Sequence, residues 1–374
     1  MKVALIHDYL NQWGGAERVL EVLAEMFPDA PIYTLLYDEE KTLHKFSGNI
    51  GKYRKIITSF LDKPRVRKNH RPFIPLMPLA MRLLKLDPSI DLVISSSASF
   101  AKGIHLGPNT KHLSYIHSPL RYAWETDYLP PETTSPQRFL YKPLLSYLRR
   151  WDFSAAQKPE ILVANSVFIS RKIKEYYGRD SLIIYPPVDL SIFNPDTKYD
   201  TQNSKKYFLA IGRFLHYKKF DLIIETFREL GLPLKIVGRG REEEKLKKLA
   251  SGTTNIEFLP FAKNDMELKK LYQNARALIF PQIEDFGLVA AESIACGTPV
   301  IAYNAGGAKE IVNNYSGILF PQQTQKFLVR AVNEFILKEN NFKPEIVAEQ
   351  AKKFSKDNFI LEINKIIKQY FTPH

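Results

Sequence analysis

The 374 residues contain a single cysteine, Cys296, so neither an intramolecular disulfide nor a cysteine metal cage is possible, and the lone thiol reads as a small core residue. No window approaches the roughly 18 consecutive apolar residues that a spanning helix needs. The amino terminus also lacks the parts of a secretory signal: Met1-Lys2 leads directly into the apolar run 3–6 and then polar His7-Asp8, the pattern of a buried strand, and a location inside the cell is expected. No Asp-x-Asp stands at any strand end, which removes the usual carboxylate pair for a divalent cation beside phosphates. The dinucleotide fingerprint is incomplete, because Gly238 and Gly240 are followed by Glu243 where the third glycine would stand. Short-period repeats and low-complexity tracts are missing too.

What the chain has is length and charge. At 374 residues it exceeds one ordinary core, and two domains are expected. Fifty-three lysines and arginines against 40 acids give a net charge of +13, which attracts anions: nucleic acid, acidic lipid headgroups or phosphorylated ligands. Between residues 52 and 85 stand Lys52, Arg54, Lys55, Lys63, Arg65, Arg67, Lys68, Arg71, Arg82 and Lys85 with only Asp62 opposing them, interleaved with Phe73, Ile74, Leu76, Met77 and Leu79. Such a stretch is a candidate for reversible contact with anionic lipid, or a solvated charged face.

Apolar, β-rich runs at 3–6, 92–94, 113–116, 161–163 and 182–185 alternate with helical stretches and predict a parallel sheet wrapped by helices. The polar segment 194–206 predicts an interdomain linker. Six further runs follow at 208–211, 234–237, 256–259, 278–280, 300–302 and 318–320, the rhythm of a second doubly wound domain. Phe359, Ile360, Ile363, Ile366 and Ile367 recur at helical spacing. The expected division is therefore 1–193, a linker at 194–206, 207–355, and a closing helix in 356–374.

Four motifs carry the chemistry. Residues 284–292, Glu-Asp-Phe-Gly-Leu-Val-Ala-Ala-Glu, follow a strand ending at Phe280. They deliver a carboxylate to a strand tip and open a helix near Gly287 whose N–H groups can meet an anion. Glu292, further along that helix, could accept two ribose hydroxyls; an isolated pair of glutamates would ordinarily be solvent-facing charge. Gly212-Arg213 with Lys218 presents a guanidinium and an ammonium suited to a pyrophosphate. Gly14-Gly15-Ala16-Glu17 opens a helix after the first strand, where a ligand or merely a plain turn fits equally. His117 stands at the tip of the run 113–116, able to offer a hydrogen bond to a sugar hydroxyl or to developing charge, although a lone histidine is usually structural.

Together these segments closely resemble glycosyltransferase family four, the large retaining GT-B family, and within it the bacterial mannosyltransferases of O-antigen and exopolysaccharide assembly. The likeness runs through His7-Asp8-Tyr9 with Gly14 to Glu17, Tyr115 to Trp124, Ala164-Asn165-Ser166, Tyr185 to Asp189, Gly212-Arg213 with Lys218, Gly238-Arg239-Gly240 and the Glu284 to Glu292 segment. One departure is Pro186-Pro187-Val188 in place of the wider family's Asn-Gly-Val.

The resemblance implies an α/β GT-B fold, two Rossmann-like doubly wound domains facing a central cleft, with the last helix returning to the first domain. It implies that Arg213 and Lys218 hold the donor diphosphate and Glu292 the ribose. Glu284, with the backbone at Phe286, Gly287 and Leu288, cradles the sugar; Gly15, Gly212 and Gly238 border the donor; His117 contacts the sugar near its reacting face. His117, Arg213, Lys218 and Glu284 are thus the expected catalytic set. The expected donor is GDP-mannose and the acceptor a glycan or lipid-linked glycan, with UDP-glucose or another nucleotide sugar as the alternative. Retention without an evident nucleophile suggests front-face displacement, the leaving phosphate helping to remove the acceptor proton. No metal or other cofactor is expected. A cytoplasmic protein, peripheral to the inner face of the membrane, is the expected setting. A non-catalytic basic module for nucleotide or lipid is the rival from another class; Glu284 and Glu292 speak against a nucleic-acid groove, and no nucleic-acid partner is expected. The missing third glycine lowers the dehydrogenase alternative.

Overall fold

In a computed structural model, residues 1–42, 54–125, 135–196 and 206–371 are described, those at 135–140 by backbone alone. The chain forms two compact units, 1–187 together with 359–374, and 188–358.

In the first unit the elements are β1 (Val3–Leu10), α1 (Gly15–Met26), β2 (Ile32–Tyr37), β3 (Ile56–Thr58), β4 (Leu92–Ser97), β5 (Lys111–Ile116), α2 (Ser135–Ala156), β6 (Ile161–Ala164), α3 (Val167–Tyr177) and β7 (Leu182–Ile183). Their sheet has the order β3-β2-β1-β4-β5-β6-β7, and every pairing in it is parallel. Alternation along β1 divides the core. Val3 and Leu5 join Val19, Leu20 and Leu23 of α1 on one face, while Ala4 and Ile6 join Met77, Met81 and Phe100 on the other. β2 and β3 are additions to the five expected strands, and β1 runs four residues beyond its apolar start. Polar His7 and Asp8 remain in the buried strand because the fold satisfies them.

The second unit contains β8 (Tyr207–Arg213), α4 (Phe220–Leu230), β9 (Leu234–Arg239), α5 (Glu243–Leu249), β10 (Ile256–Leu259), α6 (Asp265–Gln273), β11 (Ala275–Phe280), α7 (Leu288–Ala295), β12 (Val300–Tyr303), β13 (Gly317–Phe320) and α8 (Gln325–Lys338). The sheet order is β10-β9-β8-β11-β12-β13, again all parallel. Phe208 on β8 packs on Phe227 of α4 with ring centroids 5.3 Å apart and on Phe335 of α8 at 5.9 Å.

The division falls between Pro187 and Val188, earlier than the sequence suggests. Residues 188–196 belong to the second unit for a physical reason. Phe193 lies edge-on to Tyr272 at 6.2 Å, and Asn194 accepts from Gln273 Nε2 and Lys269 Nζ, each at 2.8 Å. Most of the expected linker, 197–205, lies outside the described residues. The last helix, α9 (Lys356–Tyr370), belongs from Phe359 to the first unit. Phe359, Ile363, Ile366 and Ile367 enter its core beside α1, and Phe359 meets Tyr115 edge-on at 5.7 Å.

Among the described residues one ion pair is wholly interior: Lys102 Nζ lies 2.6 Å from Asp152 Oδ1, both side chains 0% exposed. The ammonium also donates to Ser99 O at 2.6 Å. Asp152 Oδ2 accepts from Trp124 Nε1 and Tyr177 Oη, each at 2.7 Å, and from Leu120 N at 3.3 Å. One carboxylate thereby ties α2, α3 and the segment after β5 together. Removing only the cation strands a buried charge, which costs about 3–5 kcal/mol. Lys102→Met is therefore expected to lower the denaturant midpoint markedly, whereas Lys111→Met, on an exposed pair, changes it little. Equal midpoints for the two variants, measured by circular dichroism in urea, would show that the interior pair contributes no more than a surface one.

Candidate active site

In the second unit, strand order reverses between β8 and β11, and ligands of open parallel sheets bind beyond the carboxyl ends at such a reversal. Arg213 ends β8 and Arg239 ends β9 as direct register partners, and both are exposed. Two guanidinium groups on adjacent strand tips repel each other and together attract an anion. Arg239, which also lies 6.0 Å over the Phe261 ring, is a site candidate that the sequence reading quoted within a motif without giving it a role.

The paired glycines have a steric cause. A Cβ at Gly238 would lie 2.0 Å from Gly212 O, and one at Gly240 would lie 2.4 Å from Phe214 O. Both make room for the chain leaving β8, so close packing accounts for them without a ligand.

After β8 a short turn, His216–Lys218, leads into α4 through Lys219, whose φ of 57° places a non-glycine residue in the left-handed region. The turn presents Lys218, whose ammonium pairs with Glu284 Oε1 beyond β11; the side chains are 13% and 21% exposed. Gln282 Nε2 donates to the same oxygen at 3.1 Å. The expected diphosphate ligand and the expected sugar ligand are therefore partners of each other in this structure. An entering phosphate would share the ammonium with Glu284.

Gly287 caps α7 with φ 108°, and a Cβ there would lie 3.1 Å from the Phe280 ring. The positive φ alone favours glycine, and the ring contact adds to it. Phe286 is buried and lies edge-on to Phe354 at 5.2 Å. Leu288 begins the helix. Glu292 is 4% exposed and accepts from Tyr272 Oη at 3.0 Å, so it is no solvent-facing helix charge. Gly306 and Gly307, absent from the expected site, press the loop after β12 onto this segment. A Cβ at Gly306 would lie 2.5 Å from Glu284 O, one at Gly307 2.2 Å from Phe286 O, and Gly307 N donates to Glu284 O at 2.9 Å. Their signal in sequence is the Gly-Gly pair just past a strand.

Gly15 and His117 belong to the first unit. Gly15 opens α1 at an exposed position, with Glu17 buried in the same first turn. His117 follows β5. Its N–H donates to Ser97 O at 2.8 Å and its carbonyl accepts from Asn165 Nδ2 at 3.1 Å. Burial, and next the charge of His7, lower its pKa to about 3, so the ring is neutral near pH 7 and works as a hydrogen-bonding group. Ser96 Oγ lies 2.8 Å from His117 Nε2 and 3.2 Å from His7 Nδ1; His7 Nε2 lies 3.6 Å from Glu17 Oε1. Ser96 carried no recognisable signal in sequence. Asp8, part of a quoted motif, is structural. Its two oxygens accept from the N–H groups of Ala98, Ser99, Phe100 and Ala101 at 2.6–2.8 Å.

The basic stretch divides as well. Arg54 donates to the carbonyls of Ala24, Phe27 and Ala30, closing the end of α1, and Arg67 is bidentate to Asp62 at 2.6 and 2.8 Å. Lys52 lies outside the described residues. Leu76, Leu79 and Leu83 are 46%, 47% and 56% exposed at helical spacing on and beside the short helix Met77–Arg82, next to exposed Arg71, Arg82 and Lys85. No helix among the described residues is long and apolar enough to cross a membrane.

Comparison with known proteins identifies the fold and the family. Residues 13–192 match the family described as Glycosyltransferase Family 4, and residues 194–356 match Glycosyl transferases group 1. An uncharacterised glycosyltransferase of Methanocaldococcus jannaschii is 26% identical over 99% of this chain and 98% of its own. The O-antigen chain mannosyltransferase C of Escherichia coli is 28% identical over 52% of this chain and 54% of its own, about half of each. Among solved structures, Anabaena HepE in complex with UDP superposes with a TM-score of 0.72 at 18% identity, covering 99% and 100% of the two chains. Sucrose-phosphate synthase of Thermosynechococcus elongatus does so at 0.76 and 16%, covering 98% and 99%. With two parallel-sheet Rossmann-like units and these matches along nearly its whole length, the chain belongs to the GT-B glycosyltransferases.

Proposed function

We propose that this glycosyltransferase moves mannose from GDP-mannose, with retention, to a glycan or lipid-linked acceptor of a surface polysaccharide, working in the cytoplasm at the inner face of the membrane. The observation that carries the reading is the cationic strand end of Arg213 and Lys218 beside the Lys218–Glu284 pair. It supplies positive charge for a diphosphate and a carboxylate for a sugar on neighbouring loops. Glu292, buried and oriented by Tyr272, supports ribose recognition. The likeness to an O-antigen mannosyltransferase supports the choice of sugar. Related folds in complex with UDP-glucose make that donor the competing one.

A panel of nucleotide sugars tests the donor, because a ligand bound only by the folded chain raises its unfolding temperature. GDP-mannose is expected to protect most and to give the highest kcat/KM. A larger specificity for UDP-glucose would overturn the mannosyl assignment while leaving glycosyl transfer intact.

Transfer is proposed to need no divalent metal. Fixed cations, Arg213 and Lys218, and the N–H groups at the start of α7 would hold the charge that grows on the leaving diphosphate. Activity is expected to persist in excess EDTA, and Arg213→Ala to reduce kcat/KM by on the order of 10²-fold or more, with added Mn²⁺ giving no recovery. Loss of transfer on chelation, restored by Mn²⁺, would reject this reading of the two cations.

The leucines at 76, 79 and 83 with their flanking cations support peripheral contact with anionic lipid, each nearby cation contributing about 1 kcal/mol. Flotation with phosphatidylglycerol vesicles is expected to show binding that falls with salt. Arg71→Glu with Lys85→Glu should weaken it at least on the order of tenfold, whereas Arg67→Glu acts through lost structure at Asp62. Binding that ignores salt, or no binding, would remove the membrane from this account.

A further inference from the structure

The first unit contains a line of four polar side chains that ends at His117. Glu17 Oε1 stands 3.6 Å from His7 Nε2, the two side chains 4% and 2% exposed. His7 Nδ1 stands 3.2 Å from Ser96 Oγ, which stands 2.8 Å from His117 Nε2. Register makes the line: His7 on β1 is the direct partner of Ser96 on β4, and His117 follows β5, which flanks β4 on its other side. Among the described residues Ser96 is the sole hydrogen-bond partner of the His117 ring. A hydroxyl carries one hydrogen, so Ser96 donates to one of the two imidazoles and accepts from the other.

The Glu17 end decides the direction. A buried carboxylate without a compensating charge or proton is strongly disfavoured. Asp8, next to His7 in the chain, is engaged instead by four backbone N–H groups. At 3.6 Å the Glu17–His7 contact is too long for a hydrogen bond and has ion-pair geometry, which compensates the buried carboxylate when the ring carries both hydrogens. In that arrangement His7 Nδ1 carries a hydrogen. It donates to Ser96, Ser96 turns its own hydrogen onto His117 Nε2, and the remaining hydrogen of the neutral His117 ring sits on Nδ1.

We propose that Glu17, His7 and Ser96 are positioning residues that hold His117 in the Nδ1–H tautomer, making its free nitrogen a hydrogen-bond donor to an oxygen of the donor substrate. The proposal rests on the reading of His117 as a sugar contact. A donor can stabilise an oxygen that gains negative charge during transfer, which an acceptor nitrogen cannot.

Nitrogen-15 labelling of histidine in the full chain, read by two-bond proton–nitrogen correlation, tests it without substrate. His117 is expected to show a protonated Nδ1 and a bare Nε2. Ser96→Ala and Glu17→Gln are each expected to move it toward the Nε2–H form and to lower kcat by about tenfold while KM for the donor stays within about twofold. Ser96→Thr, which keeps the hydroxyl, is expected to restore both. An Nε2–H tautomer in the unaltered protein, or His117 signals indifferent to both substitutions, would overturn the relay. Expected tautomer shifts together with undiminished transfer by His117→Ala would instead refute the sugar contact and leave the relay standing.

Discussion

Each sheet runs its strands in one direction and reverses their order once, beside β1 and beside β8. That reversal decides where chemistry can be placed. Successive crossovers leave the two central strands toward opposite ends of the sheet, so the carboxyl ends of β1 and β4, and of β8 and β11, mark the place where open parallel sheets form a ligand crevice. His7, Ser96 and His117 collect at one such edge, and Arg213, Lys218 and Glu284 at the other. Parallel strands buried on both faces must be apolar through their middles, so polar residues concentrate at the tips, where the crevice is.

Buried polar groups near those tips are expensive, and the fold answers Asp8 and Asp152 with specific partners. Asp8 is consumed by backbone N–H groups and Asp152 by an ammonium, an indole and a phenol. These carboxylates fix the segments after β4 and β5, on which Ser96 and His117 depend for their spacing. In the second unit glycines perform the corresponding task by steric means. Gly306 and Gly307 let the loop after β12 approach the backbone of Glu284 and Phe286 more closely than any side chain allows, which sets the strand tip and the start of α7 in one rigid piece.

The pairing of Lys218 with Glu284 joins binding to chemistry. Each is less than a quarter exposed, so neither charge is well solvated and each holds the other until a ligand arrives. On the proposed function, a diphosphate would compete for the ammonium and leave the carboxylate to accept from sugar hydroxyls, so that one donor molecule would satisfy both groups.

The sequence by itself determined the strands that read as apolar runs, all six in the second sheet and five of seven in the first, because burial on both faces leaves an unmistakable composition. It also determined the motif order that identifies the family and the start of the helix near Gly287. It did not determine β2 and β3: Tyr33, Thr34 and Tyr37 dilute the first of these runs, and the second is only three residues long. Nor could it divide the basic stretch, since Arg54 and Arg67 differ from exposed Arg65 only in what the fold sets opposite them. Tertiary structure alone decided the pairings that matter most. Lys218 and Glu284 are 66 residues apart, and Ser96 stands 89 residues from His7 and 21 from His117. Such contacts arise from strand register between distant segments, and register is set by the packing of whole sheets rather than by any short run of residues.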